Sequence, residues 1–216
     1  KTAAFVLPAL HLLAETKKQH LPRILILTPT RELASQITNA IRTYSQFLKI
    51  KVANIIGGVS YVEQRKMLSQ PCDILVATPG RLIDYLKTKR IDLSGIEMFV
   101  LDEADRMLDM GFIDDVNLIA KFLKKKQQTL LFTATLDKKL IKLISHLLTD
   151  PVTIDLSNAE MVPQQIKQQL FIATNREQKI TFLDNILDEK TIFKRIIFSS
   201  TKIGTDKNAS YLKDKG

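Results

Sequence analysis

Short apolar runs that hand straight over to polar clusters constrain this chain more than any other feature. They are Ile24–Leu27, Val52–Ile56, Ile74–Ala77, Met98–Leu101 and Thr129–Phe132. A run of four or five mostly apolar residues without alternation reads as a strand buried on both faces, and such strands belong to parallel sheets covered by helices. One run is decisive: Met98-Phe99-Val100-Leu101 exits into Asp102-Glu103-Ala104-Asp105. Carboxylates packed this closely repel one another unless a cation or basic groups share the space, which suits a Mg2+ and phosphate site. Acidic residues in the first turn of a helix, complementing its dipole, give the same pattern, and this stretch alone does not separate the two.

Taken in order, the chain opens with Lys1-Thr2 and an apolar stretch from Ala3 to Ala14. It imitates a secretory signal, but Pro8 and His11 interrupt it and Lys17-Lys18 follow, so a domain's first helix is the better reading. Ile24–Leu27 leads into Thr28-Pro29-Thr30-Arg31, where Thr30 caps a helix with Glu32 in its first turn and Ala34, Ile37, Ala40, Ile41 and Tyr44 at helical spacing. Val52–Ile56 ends at Gly57-Gly58, which permits positive φ or close backbone approach. Ile74–Ala77 ends at Thr78-Pro79-Gly80-Arg81; with Pro79 at the first helical position, the amides of Gly80, Arg81 and Leu82 are free for an anion beside an arginine.

Beyond the acidic cluster, Arg106–Phe112 leads to a helix over 113–126 that ends in Lys124-Lys125-Lys126. The strand Thr129–Phe132 exits into Thr133-Ala134-Thr135. A helix over 137–148 carries Leu140, Ile141, Ile144, Leu147 and Leu148 on its apolar face, and Val152–Ile154 closes the region. Residues 156–165 read as a linker between a first domain, 1–155, and the start of a second over 166–216. That second unit is expected to run as strand 166–173, helix 176–187 and strand 195–198.

In an open parallel sheet all strand exits share one edge, where ligands bind. The clusters therefore converge on one crest: acidic groups and hydroxyls suit Mg-nucleotide, while arginines, glycines and helix starts suit a phosphodiester backbone. The net charge of +9 fits a polyanion partner, and equally a solvated basic surface. Cys72 stands alone, which excludes an intrachain disulfide and points to a reducing, cytoplasmic setting; no apolar run is long enough to span a bilayer.

The ordered motifs P-T-R-E-L-A (29–34), G-G (57–58), T-P-G-R (78–81), D-E-A-D (102–105) and T-A-T (133–135) resemble those of DEAD-box ATP-dependent RNA helicases, where the last is more often S-A-T. Residues 195–201 resemble the first motif of that family's second RecA-like domain. The resemblance implies an α/β, RecA-like (P-loop NTPase) parallel sheet flanked by helices, followed by the beginning of a second RecA-like domain. It also implies ATP and Mg2+ as cofactors, RNA as a partner bound through its backbone, further protein partners in RNA metabolism, and a monomer with no membrane association.

Residue by residue, it gives Asp102 to Mg2+ through water and Glu103 to the attacking water. Lys1 and Thr2 match the end of the P-loop, on the ATP phosphates and, for Thr2, the metal. Asp105, Thr133, Ala134 and Thr135 would couple the nucleotide site to RNA. Pro29, Thr30, Arg31, Gly57, Gly58, Thr78, Pro79, Gly80 and Arg81 would line the RNA track.

By the same resemblance, the adenine-reading segment, the P-loop glycines and a central strand would precede Lys1, and an arginine finger would follow Gly216. The expectation is that these residues alone are an inactive excerpt of a helicase. Two other readings compete: an ATP-independent RNA clamp or scaffold, which the water-activating carboxylate argues against, and a DNA helicase or translocase of the same superfamily.

Overall fold

The computed structural model describes residues 1–16, 19–124, 127–135, 138–156, 169–188 and 194–215. They fall into two compact units, Lys1–Thr153 and Ile154–Gly216.

The first unit is built on a five-stranded, wholly parallel sheet of β1 (Ile24–Leu27), β2 (Val52–Ile55), β3 (Ile74–Ala77), β4 (Met98–Asp102) and β5 (Gln128–Phe132) in the order β2-β3-β1-β4-β5. The three middle strands are buried along their whole length. Their alternate residues serve different layers. Ile24, Ile26, Ile74, Val76, Met98 and Val100 pack beneath α1 (Thr2–Glu15) and α2 (Arg31–Tyr44). Leu25, Leu27, Leu75, Ala77, Phe99 and Leu101 pack against α4 (Pro79–Lys87), α5 (Ala104–Asp109), α6 (Ile113–Ala120) and Leu140 of α7 (Lys138–Ile144). Both faces being covered is why these strands read as unbroken apolar runs.

The edges differ. β2 alternates between buried and half-exposed residues, and its outer side is shielded by α3 (Tyr61–Leu68), whose Met67 sulfur accepts the Asn54 amide at 3.3 Å. At the other edge, β5 is only half-buried, with Phe132 ringed against Phe5 of α1 at 5.2 Å.

Several details depart from the sequence reading. The helix expected to start at Ile113 does so, but the stretch before it, read only as a lead-in, belongs largely to a helix of its own, α5, which Gly111 at φ +77° ends. There Phe112 N donates to Met107 O and Gly111 N to Leu108 O, a left-handed C-terminal cap that stops α5 before α6 starts. α6 then ends at Ala120; Lys125 and Lys126 lie outside the described residues. The expected 137–148 helix runs as α7 and a 3-10 turn, Ser145–Leu147, with Ile141 facing solvent; Asp137 lies outside the described residues. Val152 and Ile154, read only as closing the region, are exposed.

The second unit contains α8 (Arg176–Leu187) and α9 (Lys202–Asp214), joined by Tyr211 Oη donating to Asp184 at 2.7 Å and by a Lys215–Asp184 ion pair. Among the described residues neither expected strand is seen there: 169–173 and 194–199 make no ladder, and Ile196 and Phe198 are exposed. Two short segments are too little for an independent sheet, which needs three or more strands or a covering helix. Residues 166–168 of the first expected strand, and 157–165 of the expected linker, lie outside the described residues.

Beneath the sheet, at the strand starts, Arg23 is 2% exposed and holds Glu97 in a two-point ion pair, Nε to Oε1 at 2.8 Å and Nη2 to Oε2 at 2.7 Å. The Arg23 carbonyl also accepts the Glu97 amide at 2.7 Å, so side chains and backbone together pin β1 to β4. Removing one partner of such a pair strands a buried charge. Because Glu97 is 37% exposed and solvent screens the pair, Glu97→Ala is expected to lower unfolding free energy by about 1–2 kcal/mol, read by chemical denaturation. Arg23 holds the Glu97 carboxyl below the usual glutamate range. Its contribution is therefore present above the unfolded value and lost as pH falls through the depressed folded value. Glu97→Gln should flatten that acid limb of the stability–pH curve.

Candidate functional site

Because every strand is parallel, the exits of β1 to β5 lie along one edge, and the sequence clusters meet there. At its centre Asp102, the last residue of β4, is 3% exposed. Burial pushes its carboxyl above the usual range, opposed by the Glu103 amide donating to Oδ1 at 3.1 Å and by the nearby charge of Lys1. Glu103 follows in the left-handed region at φ 55°, ψ 52°, a conformation that costs a non-glycine residue about 1 kcal/mol or more. The turn starts α5 directly at the strand's end and leaves the Glu103 carboxylate half-exposed, paired to Arg106 at 3.2 Å. Arg106 was not singled out in the sequence; its signal was the i,i+3 spacing on a short helix.

Asp105 reaches the next strand's exit. Its Oδ2 accepts the amides of Ala134 and Thr135 at 3.2 and 3.1 Å and the Thr135 hydroxyl at 3.0 Å, while Thr133 Oγ1 donates to the Thr135 carbonyl at 2.7 Å. Burial raises the Asp105 pKa most as a single cause, but hydrogen bonds from Thr135 and the Arg106 amide together outweigh it and hold the group below the usual range. Lys1 is exposed and Thr2 half-buried at the start of α1, beside this centre through Lys1's charge.

The remaining clusters gather around the loop after β2. Thr30 caps α2 by accepting the Leu33 amide at 3.3 Å; Pro29 is buried and Arg31 exposed. Gly58 has φ +72°, which favours glycine, and a Cβ there would displace the movable Arg31 guanidinium, standing 2.6 Å from its Cζ. Gly57 has open space around it and no positive φ. Gln64 is 1% exposed and its amide donates to Ile56 O at 2.6 Å, fixing the start of the same loop.

Arg81 Nη1 donates to Val59 O at 2.9 Å, and its guanidinium lies over the Tyr61 ring at 4.0 Å. Thr78 is buried and Pro79 opens α4 as read. Of the three amides expected free there, Leu82's is not, because it donates to Thr78 O at 3.2 Å and closes the first turn; Gly80 is exposed. The ties through Val59, Tyr61 and Gln64 were not legible in the sequence. Among the described residues no group of three or more His, Cys, Asp or Glu could hold a metal, and no helix is long and apolar enough to cross a membrane.

A parallel α/β sheet covered by helices, with a buried aspartate at the exit of an inner strand, defines a RecA-like domain. The pattern of the DEAD/DEAH box helicase family matches residues 1–143. The chain is 41% identical over 201 residues to the ATP-dependent RNA helicase SrmB of Haemophilus influenzae, covering 92% of this chain and 46% of that protein. It is 39% identical to SrmB of Escherichia coli, over 100% of this chain and 49% of that one. The ATP-dependent RNA helicase RhlB of Shewanella sp. MR-4 is 38% identical over all of this chain and 51% of its own length. Among solved structures, a hypothetical ATP-dependent RNA helicase from Sulfolobus tokodaii aligns with a TM-score of 0.63 at 38% identity, over 69% of this chain and 42% of that one. The chain belongs to the DEAD/DEAH box helicase family, and it spans about half the length of the curated relatives it matches.

The Asp105 hub gives a direct structural test. A hydrogen bond to a charged acceptor contributes about 1.5–3 kcal/mol, so Asp105→Ala should speed exchange of the Ala134 and Thr135 amides by about ten-fold or more, measured by NMR hydrogen exchange.

Proposed function

We propose that this chain serves as the first RecA-like domain, and the start of the second, of an ATP-dependent RNA helicase that couples RNA-stimulated ATP hydrolysis to local remodelling of RNA duplexes. The observation that carries the reading is the Asp102–Glu103–Asp105 cluster at the exit of β4, with Asp105 bonded across to Thr135 at the exit of β5. One carboxylate serves the metal, one the water, and the third ties the nucleotide site to its neighbour strand.

The residues present fit Mg2+. Asp102 is a buried carboxylate whose pKa burial raises, so its ionised form gains from a hard cation. The donor set is sparse, and Mg2+ suits such sites because it keeps several waters and takes one or two carboxylates plus phosphate oxygens. Asp102 and Thr2 would hold it, and when bound it neutralises charge on the phosphates. Lys1 supplies a second positive charge to the same phosphates.

Glu103 accepts and orients the attacking water, with its carboxylate steadied by Arg106 at 3.2 Å. Phosphoryl transfer is catalysed mainly by such positioning and charge stabilisation, so a rigid turn matters more than covalent chemistry. The left-handed backbone at Glu103 holds the carboxylate in one place relative to Asp102.

RNA lies along the other half of the crest, on Pro29 to Arg31, Gly57-Gly58 and Thr78 to Arg81. Contacts of that kind read the backbone and give little sequence preference with strong salt dependence. Movement reaches the nucleotide half through Asp105 and the Thr133–Thr135 turn.

The test is ATP turnover with and without single-stranded RNA by the full-length protein and by Glu103→Gln. RNA-stimulated turnover that falls by about 100-fold or more in the variant, with Mg-ATP binding retained, is expected. Tight RNA binding without any turnover in the unaltered protein would instead favour the ATP-independent clamp, and preference for DNA over RNA would favour a translocase.

A further inference from the structure

We infer that Tyr61 is the positioning residue for Arg81: its ring holds the Arg81 guanidinium ready for a phosphate without consuming the charge. The inference rests on the RNA reading of the crest and extends it to a residue outside the ordered motifs.

Arg81 is held by two contacts of different kinds. Nη1 donates to the Val59 carbonyl at 2.9 Å, and the guanidinium carbon lies 4.0 Å above the Tyr61 ring centroid. A carboxylate partner would fix the arginine equally well, but it would cancel its charge and occupy two N–H groups. An aromatic face attracts the cation through its quadrupole and leaves the N–H edge untouched. Of the five N–H donors on a guanidinium, the carbonyl takes one, and the others remain for an anion.

Tyr61 is itself anchored to the helix that carries Arg81. Its hydroxyl donates to Asp84 Oδ2 at 2.8 Å, its carbonyl accepts the Tyr85 hydroxyl at 3.4 Å, and the two rings pack 5.8 Å apart. Asp84 and Tyr85 lie three and four residues beyond Arg81 on α4, so ring and guanidinium share one rigid base. The Asp84 bond has a second effect. That carboxylate sits at ion-pairing spacing from Arg81, and the Tyr61 hydroxyl gives it another partner. Tyr61 also begins α3 immediately after the Gly57–Ser60 loop, so the support for Arg81 and the loop that seats Arg31 are one piece of chain.

A pre-set arginine loses less freedom on binding than a mobile one, which appears as affinity. The experiment is a double-mutant cycle on the full chain, measuring the dissociation constant for a labelled oligouridylate across a salt series. Arg81→Ala should weaken binding and lower the magnitude of the logarithmic salt slope by about 0.7, one phosphate contact on a single strand. Tyr61→Leu should weaken binding by about 5-fold, the range of one partly desolvated cation–π contact. Tyr61→Phe, which keeps the ring and loses only the Asp84 bond, should weaken binding less than Tyr61→Leu. The deciding measurement is Tyr61→Leu in the Arg81→Ala background, where no further loss is expected because the residue acts through Arg81.

A purely structural role would continue to weaken binding in that background. A persisting penalty, or a neutral Tyr61→Leu beside a damaging Arg81→Ala, overturns the inference and leaves the RNA reading standing. A neutral Arg81→Ala overturns the RNA assignment of this helix start and the inference with it. Circular dichroism of each variant guards against loss of fold, and Tyr61→Phe keeps the comparison meaningful if Tyr61→Leu unfolds.

Discussion

Parallel pairing of strands buried on both faces is the constraint on which the rest of this structure depends. A buried strand must satisfy its amides and carbonyls within the sheet, so β1, β3 and β4 lie between neighbours and carry apolar side chains up to the closing Asp102 of β4. Polar chemistry is thereby excluded from the strands and pushed to their ends. Running in parallel, the strands deliver those ends to one edge, and the crest follows from the packing. The opposite edge shows the reverse economy: Arg23 and Glu97, each one residue ahead of a registered strand pair, satisfy one another where the sheet begins.

On the crest, the two halves are assembled in different ways. The acidic half depends on carboxylates held apart by backbone geometry, with Asp102 buried, Glu103 in a left-handed turn and Asp105 bonded to the neighbouring exit. The other half depends on arginines seated by what lies beside them, a glycine without a side chain for Arg31 and an aromatic ring for Arg81. In the first half hydrogen bonds hold Asp105 below the usual carboxylate range, and in the second Val59 and Tyr61 hold Arg81 in place. Membership of the DEAD/DEAH box helicase family accounts for the order of the motifs; these contacts show how the chain holds them.

Much of the fold was legible because burial on both faces writes an unbroken apolar run, and each of β1, β3 and β4 carries one. What escaped has physical causes. α3 has one buried side chain, Gln64, so it shows no apolar stripe. The break between α5 and α6 turns on Gly111 alone, inside a stretch that otherwise keeps helical composition. The strands expected at 166–173 and 195–198 have the right residues, but a ladder is a property of partners and the described residues offer none. For the site, cluster identity was local and readable. The Arg31–Gly58 and Arg81–Tyr61 contacts join residues twenty or more positions apart, and spacing carries no trace of them. Arg23 and Glu97 flank strands as ordinary charged residues do, and only the register reveals that they face each other.

The Met67 sulfur that accepts the Asn54 amide bears on how the protein behaves in a crowded solution. β2 is an outer strand, and an outer strand with unspent amides is a template on which another chain can add itself. Here a helix lies against that side and a thioether occupies one of the amides, so the strand offers a stranger less to pair with. The guard is a soft one. Methionine is open to oxidation, and the sulfoxide is bulkier and more polar than the thioether it replaces. Met67 is itself 39% exposed, so an oxidant can reach this cover on β2 without touching the crest.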